Sequence, residues 1–181
     1  MKTYVTTPDT AKIIRKALKE AFPDTKFSVR CKSYSGGSSI RVCWTDGPIS
    51  SDVNEVVSRF QGSWFDGMQD LKYYRTHMFQ GQEVHWGPDY VFADRTVSAA
   101  FVDGVKASYA ELTAHERYKL LCETGVIWHA SMKDGTSLND PDLEDLGDDA
   151  RTVFTALALR IGLGQVNPSP TAEAVTINRE Y

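Results

Sequence analysis

A chain of 181 residues with 41% apolar and 24% charged residues has the composition of a globular protein that can bury a core, which excludes a disordered or low-complexity polymer. No apolar run approaches the roughly 20 residues that span a bilayer, and MKTYVTTPDT has no apolar leader segment, so no membrane partner and a cytoplasmic location are expected. The net charge of −4 hides an asymmetry: residues 1–80 carry 12 Lys/Arg against 8 Asp/Glu and the remainder 8 against 16, a polarity that suits a charged partner but is also common on solvated surfaces.

Taken in order, the first element is a helix. Thr7-Pro8-Asp9 supplies an N-cap hydroxyl at Thr7, a proline for the first helical position and a carboxylate at the positive end of the dipole. Ile13, Ile14, Ala17, Leu18 and Ala21 recur at helical spacing, and Pro23-Asp24 ends the element. Lys12, Arg15, Lys16 and Lys19 lie mostly off that stripe and read as a solvated face before a nucleic-acid contact.

Residues 27–48, FSVRCKSYSGGSSIRVCWTDGP, have the period-2 alternation of a β-hairpin. Phe27, Val29, Cys31 and Ser33 alternate with Ser28, Arg30, Lys32 and Tyr34. Gly36-Gly37 is expected to supply positive φ for the turn, after which Ile40, Val42 and Trp44 alternate with Arg41, Cys43 and Thr45. With the apolar sets on one face, Arg30, Lys32, Tyr34 and Arg41 gather on the other, beside Ser35, Gly36 and Gly37. This is the leading candidate site. Rings among cations on a sheet hold nucleic acid by stacking bases over a positive groove, which favours single strands over duplex. Asp46-Gly47-Pro48 closes the second strand. A disulfide between Cys31 and Cys43 across the hairpin is conceivable, yet a chain without an export signal favours reduced thiols.

Val53, Val56, Val57 and Phe60 mark a short amphipathic helix, with Asp52 and Glu55 placed like a capping box. Asp66-Gly67 reads as a turn, and residues 71–78, 83–86 and 90–93 read as short strands. Residues 97–102 and 105–107 flank Asp103-Gly104, the dipeptide of a two-residue hairpin turn. Helices resume with the Thr113 and Glu116 capping-box pattern and the anchors Leu112, Leu120 and Leu121. Residues 139–149, NDPDLEDLGDD, read as an acidic loop, and Ala150, Val153, Phe154, Leu157, Ala158 and Ile161 form a clean helical stripe. The Pro-rich end is expected to be flexible unless residues 175–177 dock as an edge strand. The order predicts an α+β protein, with a mostly antiparallel sheet, helices packed on one face and a helical C-terminal extension. The expected division is a domain over residues 1–97, an extension over 98–165 packed on it and a tail over 166–181.

Other residue clusters have simpler accounts. Asp140, Asp142 and Glu144 alternate like the first ligands of an EF-hand, but Asp145 stands where that loop needs glycine and Arg151 where it needs the bidentate glutamate. His77, His85, His115 and His129 lack metal-ligand spacing and no CxxC pair accompanies them, so neither a metal nor a cofactor is expected. Cys122 and His129 as nucleophile and base compete with Cys122 as a packed helix thiol, the simpler account. A catalytic alternative, an enzyme acting on nucleotides or nucleic acid, would use Asp46, Asp66 and Asp70 around the Ser35-Gly36-Gly37-Ser38 loop. Turn chemistry accounts for Asp46-Gly47 and Asp66-Gly67 equally well. The Ser/Gly loop offers N–H groups to a phosphate but lacks the P-loop lysine. Trp44 and Trp64 read as core, and Tyr34, Tyr73 and Tyr74 as aromatics near cations.

SVRCKSYSGGSSIRVCWTDGP, followed by FDGMQDLKYY at 65–74 and GPDYVFADR at 87–95, resembles the large polyvalent protein associated domain of type twenty-nine over about residues 11–95. The resemblance implies a setting, a phage, plasmid or other mobile element inside a bacterial cell, and carries no activity with it. Joined to the basic aromatic face, it predicts a non-enzymatic accessory or counter-defence protein that binds a host protein complex or nucleic acid.

Overall fold

The structure, a computed structural model, describes residues 3–123, 152–153, 156–157 and 166–178. In chain order the elements are β1 (Thr3–Val5), α1 (Thr7–Ala21), β2 (Ser28–Tyr34), β3 (Gly37–Thr45), α2 (Ser50–Val57), β4 (Ser63–Asp66), β5 (Leu71–Tyr74), β6 (Thr76–Phe79), β7 (Gln82–Trp86) and β8 (Tyr90–Thr96). They are followed by α3 (Ala99–Ala110), α4 (Ala114–Glu123), α5 (Pro170–Glu173) and β9 (Val175–Asn178). The class is α+β. Two compact units divide the chain, one of Met1–Thr96 with Gln165–Tyr181 and one of Val97–Gly164.

In the first unit α1 opens at Thr6, whose hydroxyl accepts the Asp9 N–H, one residue earlier than the sequence pattern placed the cap. Thr7 is already helical and buried, its hydroxyl 2.6 Å from that of Ser38, which is why the cap falls to its neighbour. Ile14, Ala17, Leu18 and Ala21 are buried as the periodicity predicts, and Ile13 packs at the edge of the same core. Arg15 reaches back to donate to the Val29 carbonyl at 2.7 Å, tying the helix to the edge of β2. The core continues through Val29, Ile40, Val42, Val53, Val57, Phe60 and Trp86. Each such side chain contributes on the order of 1.5–3 kcal/mol by leaving water.

Where a single layer was expected, the strands form three sheets. One runs β2-β3-β8, one β1-β7-β6-β9, and β4-β5 is a two-stranded arm. Four pairings are antiparallel, while β1 with β7 and β3 with β8 are parallel. The expected strand over 71–78 breaks at Arg75, whose N–H turns to the Gly62 carbonyl at 2.8 Å, so that β5 and β6 join different sheets. The hairpin between β6 and β7 turns on Gln80 and Gly81, both at positive φ. Helix α2 begins after Ile49 with no side-chain cap, so the capping box of Asp52 and Glu55 does not form. Residues 175–178 dock as β9 against β6, and α5 is held to α1 by Glu20, which accepts from Ser169 and Thr171. Burial works to raise the Glu20 carboxyl, but those hydrogen bonds and Lys16 together carry it below its ordinary range.

In the second unit the expected hairpin over 97–107 is instead a helix. Ser98 caps α3 by accepting the Phe101 N–H at 3.2 Å, and Asp103-Gly104 lies within the helix. Val105 and Tyr109 share one helical face, and burying that face outweighs the cost of Gly104 and of the β-branched residues. The capping box at α4 forms as expected, with the Thr113 N–H donating to the Glu116 carboxylate at 2.9 Å and the Glu116 N–H to the Thr113 hydroxyl at 3.3 Å. Val153 and Leu157 are buried with Val105, Tyr109, Leu120 and Leu121. The other positions of that stripe, His129 and the acidic residues 139–149 lie outside the described residues.

Candidate functional site

The register of β2-β3-β8 decides which side chains share its open face. Arg30 pairs with Arg41, Lys32 with Ser39 and Tyr34 with Gly37, so the cations and Tyr34 stand on one side, as the alternation predicts. Strand β8 extends that side with Tyr90 opposite Ser39, Phe92 opposite Arg41 and Asp94 opposite Cys43. Helices α1 and α2 pack on the other side, where Val29, Ile40, Val42 and Val91 are buried. The open face therefore carries three rings among three cations. Tyr90 and Phe92 stack with centroids 6.2 Å apart, and the Arg41 guanidinium lies 5.6 Å from the Phe92 centroid. Tyr34 and Phe92 are each 44% exposed, enough for a planar ligand to reach them. Arg41 is ion-paired with Asp94, whereas the side chains of Arg30 and Lys32 are exposed and have no hydrogen bond or ion pair among the described residues.

At one end of this face lies Asp89, which sequence reasoning passed over. It is 5% exposed, and its carboxylate accepts from the Lys72 ammonium at 2.6 Å and the Ser38 N–H at 3.2 Å. Its backbone donates to the Ser38 carbonyl at 2.8 Å and accepts from the Ser63 hydroxyl at 3.1 Å. Burial, followed by the Asp89 charge, pushes the Tyr34 hydroxyl up, so it stays protonated. The hydrogen bond to Asp89 raises Lys72 and holds it charged. The three separated sequence segments at 27–48, 65–74 and 87–95 thus meet through Ser38, Lys72 and Asp89. The available signal was Gly87-Pro88 before Asp89, a rigid approach that delivers a carboxylate to a fixed place.

This node revises the reading of the Ser/Gly loop. Ser35 and Gly36 make the turn, and only Gly36 has positive φ, at 85°. Gly37 opens β3, and glycine is required there because a Cβ would collide with the Asp89 carboxylate. The Ser38 N–H, which a phosphate would need, already serves Asp89. The loop's anion site is filled from within.

Beyond the turn a cleft opens, lined by Thr7, Ser33, Ser38, Tyr74, His85 and Asp89 among others. Tyr4 stacks on His85 at 5.9 Å and Tyr74 leans on it at 5.6 Å, both tyrosines more than 60% exposed. Lys72 lies 5.0 Å from the Tyr74 centroid, linking this cluster to Asp89. His85 Nδ1 is 3.1 Å from the Arg75 carbonyl, an acceptor only, so Nδ1 carries the proton and Nε2 is left as the acceptor of the neutral ring.

The remaining candidates do not assemble. Asp46 sits at positive φ in the turn after β3, beside Thr96, while Asp66 and Asp70 belong to the turn of the β4-β5 arm, where Asp66 accepts the Met68 and Gln69 N–H groups. Among the described residues no three of His, Cys, Asp or Glu lie close enough to share a metal ion. The carboxylate trio of the catalytic alternative is therefore split between two turns. Cys31 pairs with Ile40 and Cys43 with Ser28, which puts the two thiols on opposite faces and rules out a bond between them. Trp44 is core, donating to the Pro48 carbonyl at 2.9 Å, but Trp64 is 39% exposed and stacks on Tyr73 at 4.9 Å along the arm.

No described helix is long and apolar enough to cross a membrane. A family model described as large polyvalent protein associated domain 29 matches residues 5–98. No curated protein and no solved structure matches the chain.

Proposed function

The chain belongs to the large polyvalent protein associated domain 29 family, whose members are associated with phages and other mobile elements, and from that premise we propose that it is a binding protein whose β2-β3-β8 face holds single-stranded nucleic acid. The observation that carries this reading is the sheet face itself, with Tyr34, Tyr90 and Phe92 set among Arg30, Lys32 and Arg41 and α1 and α2 packed on the opposite side. Exposed rings on a sheet meet unstacked bases, which a duplex does not present. Such a protein serves its element as an accessory or counter-defence factor in the host cell.

The magnitudes point the same way. Arg41 is neutralised by Asp94, leaving two cations to displace counterions, which sets a salt slope near −1.4 for a single strand. Stacking on three rings, at roughly 1–3 kcal/mol per base, then contributes more than charge does. The test is a titration against single-stranded DNA, duplex DNA and RNA at low and moderate salt. Preference for single strands, lost in the Arg30→Glu/Lys32→Glu variant, supports the reading; binding untouched by that double reversal overturns it.

A second reading, a host protein complex as partner, has its own observation. The β4-β5 arm exposes Phe65 at 52%, Met68 at 96% and Leu71 at 50%, apolar surface of the kind that marks a protein contact. Capture of a defined host complex, abolished by Met68→Asp with strand binding intact, would favour it.

A further inference from the structure

The aromatic residues do not stop at the edge of the β2-β3-β8 face. Phe92 stacks on Tyr90, and Tyr34 feels the charges of Asp89 and Lys72. Lys72 then lies over Tyr74, Tyr74 leans on His85, and His85 stacks on Tyr4. Two ring clusters, Tyr90 with Phe92 and Tyr74 with His85 and Tyr4, are thus bridged by the Lys72–Asp89 pair, and the second lines the cleft beside Asp89. The far end differs in chemistry from the open face. The cations of β2 and β3 are absent from its lining, to which Thr7, Ser33 and His85 contribute instead.

We propose that this cleft receives one nucleobase of the bound single strand, seated against Tyr74 and Tyr4, with its polar edge read by His85 Nε2. The inference rests on the single-strand reading above and adds a specificity site to it. A neutral imidazole whose Nδ1–H is committed to the Arg75 carbonyl presents an acceptor at Nε2, which meets an exocyclic amino group or a ring N–H of a base. Tyr4 stacks on the His85 ring and Tyr74 leans on it, both more than 60% exposed, and stacking on such rings is tolerant of base identity. The open face would then supply grip and the cleft selection.

The experiment compares fluorescently labelled homopolymeric DNA oligonucleotides of each base, by anisotropy, on the intact chain and two sets of variants. Tyr74→Ala is expected to weaken binding about tenfold with the salt slope unchanged. His85→Ala is expected to flatten the ranking among the four homopolymers, and His85→Asn, which keeps an acceptor, to restore part of it. Arg30→Glu/Lys32→Glu is expected to reduce affinity for all four alike. Unchanged affinity in Tyr74→Ala and an unchanged ranking in His85→Ala, with the charge reversal still damaging, overturns the cleft proposal and leaves the face reading standing. If the intact chain binds none of the oligonucleotides, both fall.

Discussion

A Cβ on Gly37 would stand 1.9 Å from Oδ2 of Asp89. The carboxylate cannot swing aside, because it is buried and held by the Lys72 ammonium and the Ser38 N–H. Gly36 has open space around its missing Cβ and only its φ of 85° to lose. Gly36→Ala should therefore cost about 1–2 kcal/mol for a left-handed residue, and Gly37→Ala should cost more, about 2–4 kcal/mol, by displacing Asp89. Urea unfolding of the two variants orders them. Equal costs would show that the approach of Gly37 to Asp89 is slack.

The pair between Lys72 and Asp89 fastens the arm to the sheet. Asp89→Asn should destabilise by about 2–3 kcal/mol, since it removes the counter-charge and weakens the acceptor of the Ser38 N–H. Lys72→Met keeps the aliphatic stem and should cost less. A double-mutant cycle measures the coupling, and a value near zero would mean the contact is ornamental.

His77 makes stability depend on pH. Its ring is fully buried against Trp86, and neither nitrogen has a hydrogen-bond partner among the described residues. Burial first, then the nearby Arg75 and His85, lowers its pKa to about 4. An unfolded chain takes up that proton below about 6.5, while the folded one resists until about 4. Stability from this group is thus complete above pH 6.5 and falls as pH drops toward 4, by on the order of 2–3 kcal/mol. His77→Leu should flatten that part of the pH–stability curve. An unaltered curve would place the acid sensitivity elsewhere.

Asp94 restrains the proposed binding face by pairing with Arg41. Asp94→Asn should release a third cation, tighten single-strand binding and steepen the salt slope by about 0.7. A slope that does not move would show that Arg41 stays on Phe92 without its acid.

Much of this molecule is legible in its sequence, for identifiable reasons. Period-2 alternation over 27–48 predicts both the hairpin and the face on which Arg30, Lys32, Tyr34 and Arg41 gather, since side chains in strands can only alternate. The stripe of α1 is legible because Ile14, Ala17 and Leu18 recur at helical spacing. The errors are equally local in origin. Asp103-Gly104 and the valines around it suit a hairpin, but Ser98 caps a helix whose buried face outweighs them. Residues 71–78 look like one strand because nothing in Arg75 announces that its N–H will turn to Gly62. The Asp89 node, signalled only by Gly87-Pro88, escapes the sequence for a different reason. Ser38 and Asp89 are 51 positions apart, and only the parallel pairing of β3 with β8 brings them together.

The family match at 5–98 and the folded unit are not the same object. Strand β9 completes a sheet begun by β1, β7 and β6, and α5 satisfies Glu20 on α1, although 68 residues of a separate unit, Val97–Gly164, intervene. A ribosome therefore delivers the N-terminal strands well before the segment that closes them. At roughly 5–20 residues per second, the β6 edge waits several seconds with its backbone groups unpaired, open to any other extended chain. The length of the intervening unit sets how long that wait lasts. Cutting the chain at the family boundary would make that transient exposure permanent.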